Sequence, residues 1–254
     1  MQLGLVTYQW GADWDLPTLI ANCQKTGFAG VELRTTHKHG VEPSLSDAQR
    51  KEVAKRFADS GVELVGLGSV CEFHSPDPAV VKKNIEECKA FIRLCHDVGG
   101  SGVKVRPNGL PAGVPVDKTI EQIGKSLDEC AAFGEGYGVD IRLEIHGKGT
   151  SEIPITRKIM NVSKHPGSKL CWNCNKEDLA GAGLAVNFQS VQDRLGTLHI
   201  HDLISSYPWA ELFGLLKAAK FNGWTLLEEG AQTADPIRVM QYYRIVWEQL
   251  AGQA

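Results

Sequence analysis

Three short segments in the second half of the chain set carboxylates and imidazoles at strand spacing. DIRLEIH carries Glu144 and His146, LGTLHIH carries His199 and His201, and WTLLEE closes on Glu228 and Glu229. Residues two apart on a strand face the same way, so Glu144 pairs with His146 on one face, and His199 with His201. Two carboxylates and one imidazole that converge on a point suit a divalent cation. Oxygen-rich ligation with a single nitrogen favours Mn2+, Mg2+ or Co2+ over a structural zinc; Mn2+ leads this expectation, and catalytic Zn2+ stays open. His201 lies nearer the strand end and is the expected ligand, with His199 partly buried behind it. H-x-H and E-x-H pairs also occur in plain strands, so the chemistry depends on what positions these residues.

The chain alternates short β-rich runs with longer amphipathic stretches. Strands are predicted over residues 3–7, 30–34, 62–68, 102–106, 140–146, 169–173, 195–201 and 224–228. They are near-continuous apolar runs, as parallel strands buried on both faces require. Several of the intervening segments begin with Asp or Ser near a cap position and end in Gly, the grammar of a helix. TGFAGVELR, SGVELVGLG and VGGSGVKVR repeat one junction of helix, Gly and strand at intervals of roughly one βα unit. Eight such units favour a closed α/β barrel, a single (β/α)8 domain spanning residues 1–254. The stretch from 174 to 194 carries at most a short helix, so the sixth βα unit is expected to be abbreviated.

A barrel of this kind gathers its functional groups where strands stop and βα loops begin. Those positions hold Trp10; Glu32, Arg34, His37 and His39; Glu72 and His74; Lys104 and Arg106; Glu144 and His146; Asn173 and Asn175; His199 and His201; and Glu228. Six of the eight histidines fall at these ends. Burying so many ionisable groups at one mouth is costly unless they pair or bind a cation. Arg34, Lys104 and Arg106 suit either an anionic substituent of a ligand or pairing with Glu32 and Glu72. His37, His39, His74 and His146 suit hydroxyls of a ligand, and Glu72, Asn175 and His199 are further ligand-binding candidates. Trp10, Phe73 and Trp172 offer faces for stacking on a ligand, or simply pack.

Bulk properties exclude other classes. The 254 residues are 43% hydrophobic and 22% charged with a net charge of -3, which neither disorder nor a nucleic-acid surface would give. No apolar run approaches a membrane span, and MQLGLVTYQW reads as a strand rather than a signal peptide. A soluble, cytoplasmic protein is expected. Seven cysteines make a poor disulfide framework; Cys88 and Cys95 on one helix face, and the Cys171/Cys174 pair, are read as buried small hydrophobes. Tyr242, Tyr243 and Trp247 on the last helix leave a homodimer open.

Taken in order, LEIHG around Glu144, HIHD around His201 and LLEE around Glu228 resemble the sugar phosphate isomerase/epimerase family. That group has the xylose isomerase-like TIM barrel, shared with ketose 3-epimerases, hydroxypyruvate isomerase, inosose dehydratase and the type IV endonucleases. The resemblance implies metal ligation by Glu144, His201 and Glu228, with Glu144 and Glu228 also moving protons. Where the family has Asp on strand 6, this chain has Asn173. One carboxylate fewer implies weaker metal affinity, or a site where Asn173 serves the substrate instead.

The implied activity is isomerisation or epimerisation of a keto or aldo sugar through proton abstraction and an enediolate. A dehydratase or hydratase using the same enediolate is the alternative, and a non-catalytic sugar-binding barrel a further one. The endonuclease branch is disfavoured by the missing strand 6 Asp and by the lack of basic surface.

Overall fold

The computed structural model describes residues 1–231 and 233–253. Its eight strands are β1 (Gln2–Val6), β2 (Gly30–Arg34), β3 (Glu63–Glu72), β4 (Gly102–Arg106), β5 (Asp140–Glu144), β6 (Ser168–Trp172), β7 (Leu195–Ile200) and β8 (Trp224–Leu227). Helices follow each in turn: α1 (Leu16–Thr26), α2 (Asp47–Ser60), α3 (Pro78–Asp97), α4 (Val116–Glu135), α5 (Ile153–Val162), α6 (Leu184–Val191), α7 (Trp209–Ala218) and α8 (Pro236–Ala251). Every strand pairs in parallel with its sequence neighbour, and β8 pairs with β1 from Gln2↔Trp224 to Leu5↔Leu227, closing the barrel. The expected single (β/α)8 barrel is therefore present.

Local chemistry sets the element ends. Asp15 opens α1 by accepting from the Thr18 amide, and Gly27 closes it at φ 77°, a left-handed geometry that costs Gly little. Ser46 and Gln49 form a reciprocal capping box at the start of α2. The sixth unit is abbreviated as expected: α6 spans eight residues, behind a single 3-10 turn at Lys176–Leu179. Past the strand ends the sequence boundaries shift. β5 stops at Glu144 and β7 at Ile200, each earlier than the apolar pattern suggests, whereas β3 runs on to Glu72.

The interior of the barrel is filled below the mouth. Val6, Val65, Trp224 and Leu226 form a small core of their own inside the ring of strands. Beneath the mouth Arg142, 5% exposed, donates to the Val65 carbonyl and to Ser101 Oγ. A Cβ at Gly102 would meet the Arg142 guanidinium carbon at 2.2 Å, so glycine there makes room for the side chain to cross. This plug leaves one open end, the C-terminal one.

Two surface expectations change. Tyr243 and Trp247 are buried, with Trp247 Nε1 donating to Thr225 Oγ1, so they fasten α8 to the barrel; only Tyr242 of the three is exposed. All seven cysteines are free and buried. Among the described residues no helix is long and apolar enough to cross a membrane.

Candidate active site

Inward-facing positions of β2, β4, β5, β7 and the end of β8 bring Glu32, Lys104, Glu144, His199 and Glu228 together. His199 is the hub. Its Nε2 lies 3.3 Å from Glu32 Oε1, and its Nδ1 lies 3.5 Å from both Glu144 Oε1 and Glu228 Oε2. Lys104 Nζ lies 2.7 Å from Glu144 Oε2. His199 is fully buried, and Glu32, Glu144 and Lys104 nearly so.

Neighbouring charge offsets burial at Glu144, Glu228, Lys104 and His199. Burial alone would push the Glu144 carboxyl up, but the Lys104 ammonium and the His199 imidazole hold it well below the usual carboxylate range. Glu228 is likewise lowered against its burial by His199. Lys104 is raised against its own burial by Glu144, Glu32 and Glu228. Burial works against a charged His199 imidazole, but the Glu228 and Glu32 carboxylates beside it raise it well above the usual imidazole range.

The imidazole at the centre is His199, not His201. The donor atoms of Glu144, His199 and Glu228 lie within 4.8 Å of one another. β7 ends at Ile200, so His201 no longer follows the strand alternation. Its ring is wedged between the ends of β6 and β8, with Nδ1 3.0 Å from the Glu228 carbonyl and Nε2 2.8 Å from the Asn173 carbonyl. With both nitrogens on backbone oxygens, neither presents a lone pair to the centre.

The donor set fits a divalent cation. Asn173 Oδ1, His199 Nδ1 and Glu32 Oε2 are buried without a hydrogen-bond partner, an arrangement that is expensive unless something else satisfies them. Lys104 neutralises one of the three carboxylate charges, which leaves two for a dication.

Other candidates form a second layer nearer solvent. Arg106 Nη2 donates to Glu72 Oε1 at 2.7 Å, and Asn108 Nδ2 donates to the same oxygen at 2.6 Å. His146 Nδ1 sits 3.1 Å from Asn108 Oδ1, and His74 Nδ1 is 3.8 Å from Glu72 Oε2. Asn175 is spent on the chain itself, donating to the Ile145 carbonyl. His37 Nδ1 lies against Thr7 Oγ1 at 3.2 Å. Trp10 does not offer an open stacking face: it is 7% exposed, and its indole N–H donates to the Ala231 carbonyl, tying the loop after β1 to the loop after β8. Phe73 and Trp172 are fully buried.

Two residues of the centre had no ligand or catalytic role in the sequence reading. Glu32 was legible as a partner for Arg34, but the i, i+2 rule that placed Glu144 also turns Glu32 inward. Cys171 pairs in register with Glu144 and touches His199, so it is part of the centre's wall and not only of the outer core.

Comparison with known proteins agrees with the fold. Residues 20–243 match the family model of the xylose isomerase-like TIM barrel, and the chain belongs to that family. The chain is 21% identical over 267 residues to an L-ribulose 3-epimerase from Methylomonas sp. (strain DH-1), covering 96% of this chain and 92% of that one. Among solved structures, 3-keto-D-glucoside 4-epimerase from E. coli superposes with a TM-score of 0.81 at 15% identity, covering 99% of each chain. The IOLI protein, crystallised with a zinc atom, superposes with a TM-score of 0.83 at 16% identity, covering 100% of this chain and 99% of that one.

Proposed function

We propose that this chain is a metal-dependent isomerase or epimerase of a small carbohydrate. One observation carries the reading: Glu144 and Glu228 approach His199 from separate strands at the open end of the barrel, buried and ionised. The names of the Methylomonas relative and of the E. coli structure support the reaction class, and the zinc in the IOLI structure supports the metal.

Glu144, His199 and Glu228 would hold the cation, with Asn173 Oδ1 as a neutral fourth donor. A divalent cation held there would supply Lewis acidity toward a substrate carbonyl, which would make the neighbouring C–H acidic. The chain supplies the rest. Glu144 and Glu228, kept as carboxylates by Lys104 and His199, accept and return the carbon-bound proton as general base and acid. Return to the adjacent carbon isomerises, and return to the opposite face epimerises. Lys104 fixes Glu144 in place, because a buried ammonium within hydrogen-bond reach restricts the carboxylate to one orientation. The Glu72–Arg106–Asn108–His146 chain lines the mouth with donors and acceptors for hydroxyls.

The test is exchange of carbon-bound hydrogen. Mn2+-loaded protein is incubated in D2O with L-ribulose, D-fructose and other ketoses, and deuterium at the carbons flanking the carbonyl is followed by NMR. Exchange that disappears in Glu144→Gln supports the reading, and the product identifies isomerisation, epimerisation or dehydration. A panel of ketoses with no exchange in the metal-loaded protein contradicts it.

A further inference from the structure

β2 and β4 carry three basic residues toward the open end of the barrel, Arg34, Lys104 and Arg106, and two are already neutralised. Glu144 holds Lys104 and Glu72 holds Arg106, each at 2.7 Å. Arg34 makes no ion pair among the described residues. Its guanidinium instead lies over the Tyr8 ring, 4.7 Å from the centroid. That contact orients the plane while spending none of the five N–H donors, since the ring face accepts the cation and not a particular hydrogen. Only the Arg34 backbone is engaged, its N–H with Thr7 Oγ1 and its carbonyl with His39 Nε2.

The position of this free fork relates it to the centre. Glu32 and Arg34 are two apart on β2 and share its inward face, and Glu32 contacts His199. Arg34 therefore stands one step closer to solvent, above the proton-transfer groups. Its partner in register on β3 is Gly68. A Cβ at Gly68 would come within 3.1 Å of Glu32 Oε1 and 3.3 Å of Arg34 Cα, so glycine keeps the space beside Arg34 clear.

We infer that Arg34 holds an anionic group of the substrate, a carboxylate or phosphate ester carried on the carbohydrate away from the reacting carbons. The inference rests on the proposed carbohydrate chemistry and narrows its substrate class. A planar, permanently charged fork with unspent donors matches the geometry of either anion. A neutral ketose would leave the cation unpaired over the site.

Binding tests this directly. The Mn2+-loaded protein is titrated calorimetrically with D-fructose, D-fructose 6-phosphate and D-fructuronate, for wild type, Arg34→Gln and Arg34→Lys. One anionic ligand is expected to bind wild type at least about tenfold tighter than D-fructose. That advantage is lost in Arg34→Gln and partly kept in Arg34→Lys, and the ligand that shows it separates phosphate from carboxylate. If neither anion outbinds D-fructose, or if the advantage survives in Arg34→Gln, the inference is overturned. Because the readout is binding, Arg34-dependent anion binding without hydrogen exchange would overturn only the isomerase reading.

Discussion

Lys104 Nζ and Glu144 Oε2 meet at 2.7 Å inside the barrel, with side chains 6% and 4% exposed. The pair joins β4 to β5 and sets the charge of everything around His199. An ammonium beside three carboxyl groups lets them coexist in a space where unpaired charge is expensive.

Breaking that pair leaves Glu144 buried against Glu228 and Glu32 without its ammonium. Lys104→Met in metal-free protein is expected to lose about 3–5 kcal/mol of stability, as buried pairs do when one partner is removed. Urea unfolding at neutral pH measures it. A loss below about 1 kcal/mol would mean that the pair does not hold the centre together.

Asn173 is the position where a carboxylate would change the site most. Asn173→Asp adds a negative charge at the buried end of β6, where Oδ1 has no partner, and is expected to tighten Mn2+ binding by roughly tenfold or more, because ligand charge count tunes cation affinity. Calorimetric titration of the two proteins gives the ratio. Equal affinities would mean that Asn173 serves the substrate rather than the cation.

Asp178 gives the fold a pH signature away from the centre. It is fully buried; Tyr207 Oη donates to its Oδ2, while Oδ1 has no partner. Burial pushes its carboxyl up to about 7. The folded state therefore binds a proton that the unfolded chain has released, and stability falls as pH rises from about 4 to about 7. Relative to Asp178→Asn, wild type is expected to lose on the order of 2–4 kcal/mol across that window. Unfolding free energies of both proteins at a series of pH values check this; parallel profiles would contradict it.

Much of this was legible in the chain because buried parallel strands are written as continuous apolar runs and helices carry their own caps. Glu144 and Glu228 were legible because carboxylates at the ends of such runs have few other places to go. The choice between His199 and His201 was not. It depends on β7 stopping at Ile200, after which the His201 ring turns to the carbonyls of Asn173 and Glu228. Trp10 misled for a similar reason: its N–H is taken by Ala231, 221 residues away in sequence. Pairing of Arg106 with Glu72 was one of the two sequence readings, but pairing of Lys104 with Glu144 was hidden, since strand periodicity tells which way a side chain points but not which neighbour it finds.

The identity of the central imidazole tests the account most directly. Mn2+ is titrated calorimetrically into wild type, His199→Ala and His201→Ala at neutral pH. Loss of Mn2+ binding is predicted for His199→Ala. For His201→Ala, binding is predicted to persist while stability drops by about 1–3 kcal/mol, the cost of leaving a buried carbonyl without its donor and the ring's space unfilled. Binding that survives in His199→Ala and vanishes in His201→Ala would contradict the centre described above.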